Sequence, residues 1–233
     1  MATLREWLED FLSLFLPDLC AGCDGHLVKG EDCICMKCML MMPLTGFERY
    51  DSNPVMKQFW GQVPIEQATA FATFSKGSAL QQMIHRLKYE SRPDIGICLG
   101  RAFGQHLQRC GWSNPVDVLV PVPLFKARER LRGYNQAACI AQGISQVTGI
   151  PIDTQTVRRN RNTATQTRKN RFERSGNVSR VFEVVASDQV KGRHVLLVDD
   201  VITTGSTLVS LSEALKEVPG VRVSIAALAY ARH

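Results

Sequence analysis

The sequence predicts an α/β protein, a parallel sheet flanked by helices and preceded by a small cysteine-rich module. Three observations carry this. Residues 195–198 are an unbroken apolar run leading into Asp199 and Asp200, as in a strand buried on both faces of a parallel sheet. Apolar runs and helix-spaced repeats alternate along the chain with short turns between them, which favours parallel crossovers. Two CxxC pairs, Cys20/Cys23 and Cys35/Cys38, lie close together near the N-terminus.

In residues 4–16, Leu4, Trp7, Leu8, Phe11, Leu12 and Phe15 mark one face of an amphipathic helix expected to dock on the body of the protein. Glu6, Glu9 and Asp10 interrupt the segment and no small-residue cleavage site follows, so it does not read as a signal peptide. Residues 43–64, with Gly46, Asn53-Pro54, Gly61 and Pro64, read as an irregular linker packed over the body. Residues 68–74 are expected as a strand. Leu80, Met83, Ile84 and Leu87 then recur at helical spacing, with Pro93 as the stop. A second helix covers 94–110 with Leu99, Phe103 and Leu107 on one face. Residues 116–124 form the next buried strand, ended by Pro121 and Pro123. Residues 125–136 are a basic loop opening a helix along Ala137, Ile140, Ala141, Ile144 and Val147. After 195–207, Leu208, Leu211 and Leu215 mark a helix, and Gly220 turns the chain into a last strand over 221–229. The expected division is a helix and metal module over 1–50, a linker over 51–64, and one α/β domain over 65–233.

At 233 residues there is room for one sizeable core plus a small module. No 18-residue uncharged run is present, so no integral membrane span is expected. The net charge of +6 is local: Arg158, Arg159, Arg161, Arg168, Lys169, Arg171, Arg174 and Arg180 face a single acid, Glu173. Eight cysteines without an export signal read as metal ligands and core residues, which places the chain in the cytoplasm.

Cys20, Cys23, Cys35 and Cys38 can supply the tetrahedral sulfur set of a structural zinc, with no open position for catalysis. Cys33 could replace Cys35 as a ligand; Cys98, Cys110 and Cys139 read as packing residues. After the acid pair, Thr203, Thr204, Gly205, Ser206 and Thr207 form a small hydroxyl-rich turn into a helix, offering free N–H groups and a positive dipole end to a phosphate. Adjacent acids at the carboxyl end of a central strand accept hydrogen bonds from sugar hydroxyls, so the two parts describe a ribose 5-phosphate cradle. The loop with Lys126, Arg132 and Asn135 suits a pyrophosphate. His85, Lys88 and Arg92 read equally well as phosphate ligands and as a solvated helix edge.

Residues 195–207 resemble the 5-phosphoribosyl 1-pyrophosphate (PRPP) motif of type I phosphoribosyltransferases. The resemblance implies that Asp199 and Asp200 hold the ribose hydroxyls and Thr203 to Thr207 wrap the 5-phosphate. The double CxxC, Ile84-His85-Arg86-Leu87-Lys88-Tyr89, Pro121-Val122-Pro123-Leu124 and Arg132-Gly133-Tyr134-Asn135-Gln136, taken with that run and in that order, resemble the ComF/GntX family of competence-associated phosphoribosyltransferase-like proteins. Some relatives carry a second knuckle pair; this chain has one set. Arg159, Gln166 and Arg174 resemble the family's pattern in a mobile loop that closes over substrate and excludes water.

The resemblance implies Mg²⁺-dependent displacement of pyrophosphate from PRPP, with Asp199, Asp200 and Arg132 as catalytic residues. Enzymes using 6-oxopurines generally have an acid where this chain has Thr203, and no acceptor is named. The alternative is a non-catalytic PRPP- or nucleotide-binding accessory protein that meets single-stranded DNA or the DNA-uptake machinery through the zinc module and residues 158–180. Within that segment only Phe172, with Phe182 just beyond it, offers an aromatic for base stacking, which favours loop closure.

Overall fold

The computed structural model describes residues 18–112, 115–160 and 181–231. The helix expected over residues 4–16 lies outside them. The described strands are β1 (Ala68–Phe74), β2 (Val118–Pro121), β3 (Val157–Arg159), β4 (Phe182–Val184), β5 (His194–Ile202) and β6 (Arg222–Ala231). The described α-helices are α1 (Met36–Leu40), α2 (Pro54–Phe59), α3 (Ala79–Tyr89), α4 (Pro93–Arg109), α5 (Lys126–Arg132), α6 (Gln136–Thr148) and α7 (Ser206–Lys216).

Four strands make one all-parallel sheet in the order β1-β6-β5-β2. The missing alternation in residues 195–198 has a direct cause. Leu196 and Val198 enter the core that holds α3, α4 and α6, while Val195 and Leu197 enter the opposite core with α2 and α7. Each face of β5 is covered, so each face is apolar. β3 and β4 pair antiparallel in a separate ribbon, Arg159 opposite Phe182, and so bring together the two ends of the basic segment, whose residues 161–180 lie outside the described ones.

α4 and α6 lie almost backbone to backbone. A methyl group added at Gly100 would overlap the Ile140 carbonyl, and one at Gly143 would overlap the Ile97 carbonyl. Only glycine permits this approach.

Four expectations change. The segment expected as irregular linker contains a 3₁₀ turn, Phe47–Arg49, and helix α2. Asn53 caps α2 by accepting from the Val55 and Met56 N–H groups, and Pro54 occupies its first turn. The basic loop is helical over Lys126–Arg132 because it is composed of strong helix formers, and Gly133 closes it with φ 81°. β2 is shorter than the expected 116–124, since pairing with β5 stops at Pro121. β5 is longer than expected and does not end at the acids, because β6 continues to offer partners through the Ile202–Tyr230 pair.

The cysteine module is seated on α3. The Gly22 backbone lies against Met83 and Ala79, and Arg86 binds Asp24 at 2.6 Å and the Cys20 carbonyl at 3.3 Å. Cys20, Ala21, Ile34 and Cys38 share a continuous core with α3 and α4.

Candidate functional site

A cavity of about 610 Å³ opens beyond the carboxyl end of β5, the position where ligands meet open α/β sheets. Asp199 and Asp200 lie on its wall together with Thr203 and Thr207. A second depression of about 40 Å³ adjoins it, lined by Asp199 and by Thr203, Thr204, Gly205, Ser206 and Thr207. Gly205 has φ 74° and precedes the first turn of α7, so the loop can turn its backbone towards that depression. The expected acids and the expected phosphate loop are thus brought together in one place.

Asp200 is ion-paired with Lys88 of α3 at 2.9 Å, both side chains being largely buried. Its backbone N–H donates to Asp199 Oδ1 at 2.8 Å. Asp199 keeps some solvent contact at the cavity wall, yet desolvation governs its titration. Burial, then the like charge of Asp200, push its carboxyl up to about 7, against the pull of Lys88 and Arg159. The acids therefore differ: Asp200 is matched to a cation, while Asp199 changes protonation near neutrality.

The cavity wall also carries cations. Arg128 and Arg132 of α5 and Arg159 of β3 line it. Burial and the neighbouring Arg128 charge lower the Arg159 pKa, with Asp199 opposing. Arg132 donates to Gln136 Oε1 at 2.6 Å and stacks 5.3 Å from the centre of the Tyr89 ring. Gln136 is buried and lines the cavity, and its Nε2 has no hydrogen-bond partner among the described residues. Asn135 lines the cavity, but its amide is engaged by the backbone: Nδ2 donates to the Val122 carbonyl, and Oδ1 caps α6 at Ala137. Lys126 is exposed and is not among the lining residues; Gln166 and Arg174 lie outside the described residues. Arg92 pairs with Asp94 at 2.7 Å instead of facing the cavity, whereas His85 lines it.

Two residues that sequence reasoning passed over support the loop. Gln58 Nε2 donates to the Thr203 carbonyl at 3.1 Å, and the Phe59 ring lies 3.3 Å from where a Cβ on Gly205 would be. The Asn53-Pro54 cap was the available signal that a helix begins there.

The sulfurs of Cys20, Cys23, Cys35 and Cys38 all lie within 4.8 Å of one another. Cys23 and Cys35 stand 3.8 Å apart, close to the edge of a tetrahedron with metal–sulfur bonds of about 2.3 Å. Backbone N–H groups of Gly22 and Cys35 donate to Cys20 Sγ, and that of Cys38 donates to Cys35 Sγ. Such donors favour thiolate. At Cys20 burial raises the pKa, but the N–H donors of Cys35, Gly22 and Cys23 outweigh it and bring it to about 7. The cluster can hold a metal such as zinc and is compatible with a zinc ribbon. Cys33 lies outside the group, so Cys35 fills the place left open between the two.

A parallel sheet with an acid pair on its central strand, a phosphate-type loop capping the next helix and several cations on the same cavity wall has the form of a phosphoribosyltransferase domain. Residues 134–233 match the family described as phosphoribosyl transferase domain. Three relatives extend the match to most of the chain. DNA utilization protein YhgH of Escherichia coli is 30% identical, covering 87% of this chain and 92% of that protein. Competence protein F of Haemophilus influenzae is 37% identical over 65% of this chain and 68% of that one. Competence protein ComFC of Bacillus subtilis is 32% identical over 88% and 82%. The chain belongs to the ComF/GntX family of competence-associated phosphoribosyltransferase-like proteins. No helix among the described residues is long and apolar enough to cross a membrane.

Proposed function

We propose that the chain binds PRPP between Asp199, Asp200 and the Thr203–Thr207 loop, and that it transfers the ribose 5-phosphate to an acceptor with loss of pyrophosphate. One observation carries this reading: Asp199 and Thr203 line both the large cavity and the small depression, so a sugar and its 5-phosphate have adjoining places. In this reading the ionised acids accept hydrogen bonds from the ribose hydroxyls, and the loop's N–H groups and hydroxyls grip the phosphate. Lys88 and Arg132 meet the negative charge that collects on the departing pyrophosphate, while the sugar becomes positive at C1 next to the acid pair. Gln136 Nε2 is available to the same oxygens. Arg159 enters from the base of the basic segment, and Arg174 and Gln166 belong to the closure that excludes water.

The acid pair and the loop hydroxyls present only oxygen donors, the ligands suited to Mg²⁺ held jointly with phosphates. Bound there, Mg²⁺ would neutralise charge on the leaving group. Cys20, Cys23, Cys35 and Cys38 would hold zinc as a structural knot. Thiols kept as ligands fit a cytoplasmic setting. The division into a module over 1–50, a linker over 51–64 and a domain over 65–233 is proposed on the same basis.

The relatives' names, DNA utilization and competence protein, favour one second reading: a PRPP- or nucleotide-binding accessory protein that holds single-stranded DNA or DNA-uptake proteins through residues 158–180. Incubation with PRPP, Mg²⁺ and a panel of nucleobases, scored for pyrophosphate release, separates the two. Release abolished by Asp200→Asn supports transfer. Tight PRPP binding with no release against any acceptor, together with DNA binding that falls steeply with salt, supports the accessory role.

A further inference from the structure

On the reading of the cavity as a PRPP site, we propose that Tyr89 is a positioning residue: its ring sets the Arg132 guanidinium so that the remaining N–H groups clamp the oxygens of the pyrophosphate. The last turn of α3 carries two cavity residues in succession, Lys88 and Tyr89. Lys88 is committed to Asp200. Tyr89 meets Arg132 of α5 instead, the guanidinium lying over the ring with Cζ 5.3 Å from its centre.

The way α5 is held gives this contact its weight. None of its seven residues is buried, so no apolar core seats the helix. Arg128 and Arg132, four residues apart and thus on one face, both line the cavity. Arg132 is fixed at two points: Nη1 donates to Gln136 Oε1 at 2.6 Å, and the plane is covered by Tyr89. A guanidinium has five N–H donors in a rigid fork, and these contacts occupy one nitrogen and one face. The rest of the fork has no partner among the described residues, which suits it to a pair of phosphate oxygens.

A carboxylate could hold the same guanidinium, but it would neutralise the charge that a leaving pyrophosphate needs. An aromatic ring holds it and leaves the charge intact. The ring is itself braced, since His85, one turn earlier on α3, stands with its ring centre 4.9 Å from that of Tyr89 at 45°. Tyr89 is 66% exposed, so its side chain adds little to the core. Its hydroxyl makes no hydrogen bond among the described residues, and the ring alone performs the task.

Calorimetry on the full-length protein tests this with two probes, inorganic pyrophosphate with Mg²⁺ and ribose 5-phosphate. Tyr89→Leu should weaken pyrophosphate about fivefold, the order of one cation–π contact, and leave ribose 5-phosphate unchanged. Tyr89→Phe should restore the wild-type pyrophosphate affinity. Arg132→Lys keeps the charge but loses the fork, and should weaken pyrophosphate about tenfold. Adding Tyr89→Leu to it should weaken binding little further, because the ring then has no guanidinium to set. The melting temperature of Tyr89→Leu should match that of wild type, which a structural role for the ring would not allow. Additive losses in the double variant overturn the proposal, as does a Tyr89→Leu chain that melts well below wild type and loses both probes together. If wild type and Tyr89→Leu bind both probes equally well, this inference fails while the reading of the site stands. If wild type binds neither probe, both fail.

Discussion

Lys88 on α3 and Asp200 on β5, 112 residues apart in the chain, meet in an ion pair of 2.9 Å at the cavity wall. A largely buried cation held by one carboxylate beside a second, desolvated one sets the electrostatics of the whole site. Lys88→Met should therefore raise the Asp199 pKa further, since Lys88 lowers it. It should also weaken PRPP binding about tenfold, or about 1.4 kcal/mol, as measured by calorimetry at pH 7 with Mg²⁺; unchanged affinity would remove Lys88 from the site.

Asp199 gives a pH signature. Its folded pKa of about 7 stands above the unfolded value of 3.8, so the folded chain holds a proton that the unfolded chain releases as pH rises between those values. Its contribution to stability is therefore full at low pH, declines through this window and is lost above about 7. Asp199→Asn should melt higher than wild type at pH 8, with the advantage gone at pH 4, as measured by thermal unfolding at the two pH values. PRPP binding by the wild type should tighten from pH 6 to 8 as the carboxylate forms, and Asp199→Asn should flatten that rise.

Gly205 takes φ 74° with the Phe59 ring against its α-carbon. Gly205→Ala should cost about 1–2 kcal/mol of stability for the left-handed backbone alone. PRPP affinity should fall as well, because the loop that would wrap the phosphate cannot hold its turn. Denaturant unfolding and calorimetry on one preparation check both.

Phe59, the last residue of α2, is fully buried with its ring against Gly205. Phe59→Ala should cost about 3–5 kcal/mol and loosen residues 203–207, visible as faster amide exchange there than in β1. Equal exchange in both would mean that α2 does not support the loop.

Removing the metal from the four-cysteine cluster should loosen residues 18–44 while PRPP binding persists, since no cluster cysteine lines the cavity. Amide exchange on chelator-treated protein measures this, and simultaneous collapse of both parts would contradict the proposed division. The sharing of one core between the module and α3 makes this a demanding test.

The parts of this molecule legible in the sequence are those written in adjacent residues. The apolar run with its acids, the glycine-hydroxyl turn, the paired CxxC spacing and the helical repeats of α3, α4 and α7 each announce themselves locally. What escaped depends on distance along the chain. Lys88 could not be told from a solvated helix edge, because its partner lies on another element. Gln58 and Phe59 looked like linker because their role is to touch Thr203 and Gly205, which the sheet brings near. Asn135, expected among the anion ligands, also has a structural task, tying β2's end to the first turn of α6 through Val122 and Ala137.

The glycine seam between α4 and α6 fixes how the molecule can breathe. With carbonyls of one helix pressed where the other has no side chain, the two cannot slide past each other without collision. Helix α6 carries Gln136 and Ala137 into the cavity wall, so that part of the wall is held by the seam. A ligand entering the cavity therefore meets, at Gln136 and Ala137, a surface whose position is set by glycines more than a turn away on the same helix and its neighbour.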